Sequence, residues 1–239
     1  MVSELFGNVI KELLHFWWFF VIAIGLKILI GIAKSPSGKG VRGEKIAPLS
    51  IFQSLASLKG ARGERIVSRR LRDGLPAEYK ILNDIYLPLL DETTTQIDHI
   101  VVSQYGIFVV ETKAYSGWIF GDGKSPCWTQ TIYNKKSKFQ NPIRQNYRHI
   151  CALAETLGID KSYFISVVVF TGDCEFKGEM PKGVIYSQGA VDYIRQFTAP
   201  LILVRQLDEI VSAIEEWQAS ISEERKAKHV ENLKKRHNI

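Results

Sequence analysis

TTQIDHIVVSQYGIFVVETKAY, residues 94–115, decides the fold. Two apolar, β-branched runs are separated only by Gln104 and Tyr105, which is the signature of a β-hairpin. A two-residue turn there pairs Ser103 with Gly106 and sets Asp98 opposite Glu111. A turn shifted to Tyr105–Gly106 sets Asp98 opposite Lys113 instead. Either register leaves Asp98, Ile100, Val102, Ile107, Val109, Glu111 and Lys113 on one face, because side chains alternate along a strand. Gln96, two residues before Asp98, shares that face, where it can bond a phosphate or a bound water. Ile97, His99, Val101, Phe108 and Val110 fall on the other face, with His99 read as a core histidine.

Both faces are mostly apolar, so two carboxylates and a lysine among them need a reason. Two readings stay open. One is a Glu–Lys–Asp ion network at a sheet end, which contributes little net stability. The other is a metal-dependent hydrolytic site, since opposed residues have Cβ atoms roughly 4.5–5.5 Å apart, close enough to share a divalent cation. In that site Asp98 and Glu111 hold Mg²⁺ or Mn²⁺, while Lys113 orients the attacking water and stabilises phosphorane charge.

Working outward, GARGERIVSRRLRDGL (60–75) predicts a helix entered at Gly63 and closed at Gly74, and EYKILNDIYLP (78–88) predicts a first strand. WIFGDGKSPCWTQTIYN (118–134) continues with β-like and turn residues, and Lys135, Lys136 and Lys138 read as a basic loop. Asn141 and Pro142 are an N-cap and N1 pair for a helix through Leu157, ended by Gly158. On it Gln145 and His149, and likewise Arg144 and Arg148, are four apart and share stripes suited to phosphate contacts. YFISVVVFTG (163–172) reads as a buried strand, VIYSQGAVDYIRQF (184–197) as a strand passing into a helix, and VRQLDEIVSAIEEWQ (204–218) as a helix. The class is α/β, a mixed β-sheet flanked by helices.

The 239 residues carry 31 Lys plus Arg against 25 Asp plus Glu, a net charge of +6 that favours nucleic acid or an anionic membrane as partner. Three cysteines without C-x-x-C spacing argue against a disulfide framework or a cysteine-rich zinc site. No nucleotide-binding glycine fingerprint, serine nucleophile elbow or H-E-x-x-H motif is present. At the N-terminus, LLHFWWFFVIAIGLKILIGIA (13–33) is long enough, at roughly 31 Å as a helix, to cross a bilayer core. Trp17 and Trp18 suit one interface and Lys27 snorkels toward the other. The downstream Lys34, Lys39, Arg42 and Lys45 place the body in the cytoplasm, on a single-pass anchor. The expected organisation is a transmembrane helix at 12–33, a linker at 34–57, the main domain at 58–200 and a helical, basic tail at 201–239.

GARGE (60–64), the hairpin continued to Gly121, WTQ (128–130) and NPIRQN (141–146) together resemble the nuclease-related domain (NERD) family. The resemblance covers about half the chain, with the motifs in the right order. It implies the restriction-endonuclease-like fold of the PD-(D/E)xK nucleases and Mg²⁺- or Mn²⁺-dependent hydrolysis of phosphodiester bonds in DNA. It also implies that Asp98 is the first acidic position, that Glu111 and Lys113 are the E-x-K pair, and that Glu64 is a helix-borne third carboxylate. Gln130 and Gln145 match further recurrent positions. Ile97 stands where the motif has proline. The alternative from another class is a non-catalytic, membrane-tethered module that keeps the nuclease fold to bind nucleic acid or protein.

Overall fold

The structure, a computed structural model, describes residues 48–88 and 94–221. The predicted membrane span, most of the linker and the tail beyond Ile221 lie outside the described residues. Among the described residues no helix is long and apolar enough to cross a membrane.

Helix α1 (Pro48–Gly74) leads into β1 (Lys80–Pro88), β2 (Thr94–Ser103) and β3 (Gly106–Ala114). Three shorter strands follow: β4 (Gly117–Phe120), β5 (Cys127–Ile132) and β6 (Lys135–Gln140). Helix α2 (Pro142–Leu157) then precedes β7 (Phe164–Thr171), β8 (Cys174–Phe176) and β9 (Val184–Tyr186), and α3 (Ala190–Arg195) and α4 (Val204–Ser220) complete the described chain. The single mixed sheet expected from sequence is two sheets. One is ordered β1-β2-β3-β7-β9 and the other β6-β5-β4-β8, and each mixes parallel and antiparallel pairs.

The five-stranded sheet is covered on both sides. Val67 and Leu71 of α1, with Ala190 and Ile194 of α3, pack on Val101, Phe108, Val110, Val167 and Val169. Ile150 and Leu153 of α2, with Leu207, Ile210 and Ile214 of α4, pack on Ile100, Val102, Ile107 and Val109. Alternate residues of one hairpin thus feed two cores.

Helix α1 ends at Gly74 as the sequence indicates, but it is already helical from Pro48 and runs through Gly60 and Gly63. Gly63 is a contact point rather than an end. A Cβ there would lie 2.7 Å from Thr171 Oγ1 and 3.0 Å from the Ala114 Cβ, so only glycine lets α1 approach β3 and β7 this closely. Helix α2 begins and ends where the sequence places it. Asn141 accepts the Ile143 amide at 2.9 Å, and Gly158 closes the helix in the left-handed region at φ 64°.

The lysines expected in a loop are in β6 instead. Tyr133, at φ 51°, and Asn134 turn the chain back, so Lys135, Lys136 and Lys138 pair with Ile132, Thr131 and Thr129. The exposure of this edge strand hides it from an apolar-pattern reading.

Candidate nuclease site

The hairpin takes the register set by a Gln104–Tyr105 turn, with Ser103 opposite Gly106 and His99 opposite Val110. Regular pairing stops one step before Asp98 would meet Glu111. The carboxylate of Asp98 fills the gap, Oδ2 accepting the Thr112 amide at 2.7 Å. The ladder on the other side of Asp98 is broken too. Asn83 pairs with His99 and Ile85 with Ile97, but Asp84 between them has φ 55°. That conformation is uncommon outside glycine and is tolerated best by Asn and Asp.

The alternation of faces fails at the same place. Ile97, expected with Val101, packs instead in the cluster that holds Ile100 and Val102. Asp98 thus lies at a local break in the sheet and not on a continuous face. His99 is a core residue as expected, 2.8 Å from Asn83 Oδ1, with burial lowering its pKa to about 4.

Strand β3 carries Glu111 and Lys113 beside this break. Glu111 is buried, 3% exposed, and its Oε1 receives Lys113 Nζ at 2.7 Å. Lys113 Nζ also donates to Gln145 Oε1 at 3.0 Å. Glu111 Oε2 lies 3.5 Å from His149 Nδ1 and has no hydrogen-bond partner. Gln145 and His149 reach β3 because Asn146 anchors α2 between them. The Asn146 amide donates to Val109 O at 2.8 Å and to Ser166 Oγ at 2.9 Å.

The electrostatics are those of carboxylates crowded without enough cations. Asp98 is pushed well above the usual carboxylate range, first by burial and then by Glu111, against the Thr112 hydrogen bond. Glu64, half-buried on α1, is raised by burial and then by Asp84 and Glu111. Burial works to lower Lys113, but Glu111 beside it carries its pKa above the ordinary value. Asp98 and Glu111 offer the carboxylate oxygens that a hard divalent cation takes, and Glu111 Oε2 has no hydrogen bond, so the chemistry of these donors suits Mg²⁺ or Mn²⁺. Among the described residues no group of three or more His, Cys, Asp or Glu is already arranged to hold an ion.

Of the residues read from sequence, Asp98, Glu111, Lys113 and Gln145 come together, and Glu64 is electrostatically coupled to them. Gln96 turns to Asp84, donating to Oδ1 at 3.0 Å. Gln130 stands in the second sheet, where it donates to Ser116 O at 2.8 Å. Arg144 and Arg148 are exposed on α2. Two further groups, Asp84 and the His149 contact to Glu111, were not assigned from sequence. The i, i+4 spacing from Gln145 pointed to His149, whereas nothing in the pattern marks Asp84.

The described residues form an α/β domain of mixed sheets flanked by helices, with Asp98 on one strand and Glu111 and Lys113 on the next. Residues 59–171 match the family model described as nuclease-related domain (NERD), so the chain carries a nuclease-related domain over that span. It is also 46% identical over 119 residues to an uncharacterized protein of Bacillus anthracis, covering 50% of this chain and 56% of the relative. The match thus spans little more than half of that protein's length. No solved structure gives a significant match.

Proposed function

We propose that the chain is a metal-dependent nuclease that hydrolyses phosphodiester bonds in DNA, tethered to a membrane through residues 12–33 with its domain in the cytoplasm. The tether and its orientation rest on the hydropathy and flanking charges of the sequence. The catalytic reading rests on one observation above the others: Lys113 Nζ held at 2.7 Å from Glu111 and 3.0 Å from Gln145, next to the elevated carboxyl of Asp98.

In this reading Asp98, Glu111 and Glu64 hold Mg²⁺ or Mn²⁺. Such an ion, when bound, polarises the phosphate and eases deprotonation of a water. Lys113 keeps its ammonium at the reacting phosphate, orienting the water and offsetting the negative charge that grows as the P–O bond forms. The bond to the leaving oxygen breaks, and the products are a phosphate monoester and a free hydroxyl. Gln145 fixes the direction of Lys113, and Asp98 is fixed by the Thr112 amide. Arg144 and Arg148, exposed on α2, would in this reading meet the backbone of DNA beyond the scissile bond.

Cleavage of single-stranded, duplex and branched DNA by the full chain, with Mg²⁺ and with a chelator, tests the reading. Cleavage is expected only with the metal, and Asp98→Ala or Glu111→Ala is expected to abolish it in a folded protein. Equal cleavage with and without metal would overturn it.

A further inference from the structure

The second sheet has an inner and an outer face. Ile119, Trp128 and Phe139 point inward, onto Phe170 of the main sheet. By alternation the opposite face carries Trp118 and Phe120 on β4. Both are unusually exposed for their type, at 49% and 40%. The strand register places Trp118, Thr131 and Lys136 in one row and Phe120, Thr129 and Lys138 in the next. Just past β8, Lys177 lies over one face of the Trp118 ring at 4.6 Å and pairs with Glu175. This face therefore carries two aromatic rings and three ammonium groups against one carboxylate.

We propose that this face binds a single strand of nucleic acid, with bases stacked on Trp118 and Phe120 and phosphates held by Lys136 and Lys138. Residues two apart on a strand are separated by about 6.8 Å, twice the 3.4 Å base step of a nucleic-acid strand. The lysine row lies two strands away, roughly 9.6 Å, on the side where a backbone runs when its bases cover the rings. Stacking on rings needs bases that are not already paired and stacked, which selects a single strand over a duplex. An anionic bilayer fits less well, because the two rings share their face with Thr129, Glu175 and the lysines and make no continuous apolar surface. The proposal extends the nuclease reading by naming the form of nucleic acid held, yet binding here does not require cleavage.

The test is fluorescence anisotropy of a labelled oligothymidylate with the full chain in mild detergent and chelator. Binding should prefer the single strand to a duplex. Trp118→Ala with Phe120→Ala should weaken it by about a hundredfold, roughly tenfold for each ring, while Trp118→Phe should retain most of it. Lys136→Gln with Lys138→Gln should make the salt dependence shallower by about 1.4 in the log–log slope. Unchanged affinity in the double alanine variant overturns the proposal. So does a loss confined to vesicles of anionic phospholipid. Tight single-strand binding without any Mg²⁺-dependent cleavage would leave this face standing and remove the nuclease reading, whereas cleavage with unaltered binding would do the reverse.

Discussion

The two ends of the β2–β3 hairpin are built from the same kind of strand and do opposite things. At the turn end, pairs from Ser103–Gly106 to His99–Val110 form an unbroken ladder, and Val101, Val102, Ile107 and Phe108 are fully buried. At the open end the ladder stops, Asp98 takes the Thr112 amide with its side chain, and Asp84 interrupts the pairing on the other side. Stability comes from the first end, through burial on two helical layers. The second places carboxylates in a buried setting that raises Asp98 and Glu64, a cost that the first end offsets. Fold and candidate chemistry are thus separated by only a few residues along one pair of strands.

Substitutions at the two ends should have different consequences. Lys113→Met should lower Mg²⁺-dependent cleavage by the folded fraction roughly 10²–10³-fold and, by leaving the buried Glu111 without its cation, should also cost about 3–5 kcal/mol of stability, as measured by initial rates and thermal unfolding. Ile107→Ala, at the turn end, should cost about 2–5 kcal/mol of stability in denaturant titrations and leave the specific activity of the folded fraction intact. Gln145→Leu frees Lys113 from its second contact and should reduce cleavage by about tenfold without weakening DNA binding. Asp98→Asn should do the smallest thing and the most diagnostic one. A carboxyl whose pKa is raised by folding destabilises the protein above that pKa. The amide, which can still accept the Thr112 hydrogen bond, should therefore raise the metal-free melting temperature at neutral pH by about 2–4 °C, for roughly 1 kcal/mol. A fall in stability with Asp98→Asn would mean that the cluster is a structural ion network.

Much of this was legible in the sequence because it depends on local pattern. The turn length set the register, Asn141 and Gly158 set the bounds of α2, and the hairpin residues around Asp98 marked the candidate site. What was not legible depends on contacts between distant segments or on broken pattern. Gly63 looks like a helix start until β3 and β7 are seen pressed against it. Strand β6 has too few apolar residues to signal a strand, and its partner lies across a turn at Tyr133. The reversal of Ile97 accompanies the gap in pairing at Asp84, whose left-handed backbone period-two reasoning cannot register. Gln130 carries a motif position, yet it serves the second sheet by holding Ser116 O.

In the proposed reading Asp98 and Glu111 share one divalent cation. Anomalous diffraction from Mn²⁺-soaked crystals of the protein would reveal that ion. A Mn²⁺ peak bonded to both side chains and absent in Glu111→Gln crystals is expected, whereas well-diffracting crystals with no peak there, or with Mn²⁺ bound only elsewhere, would rule out the shared cation.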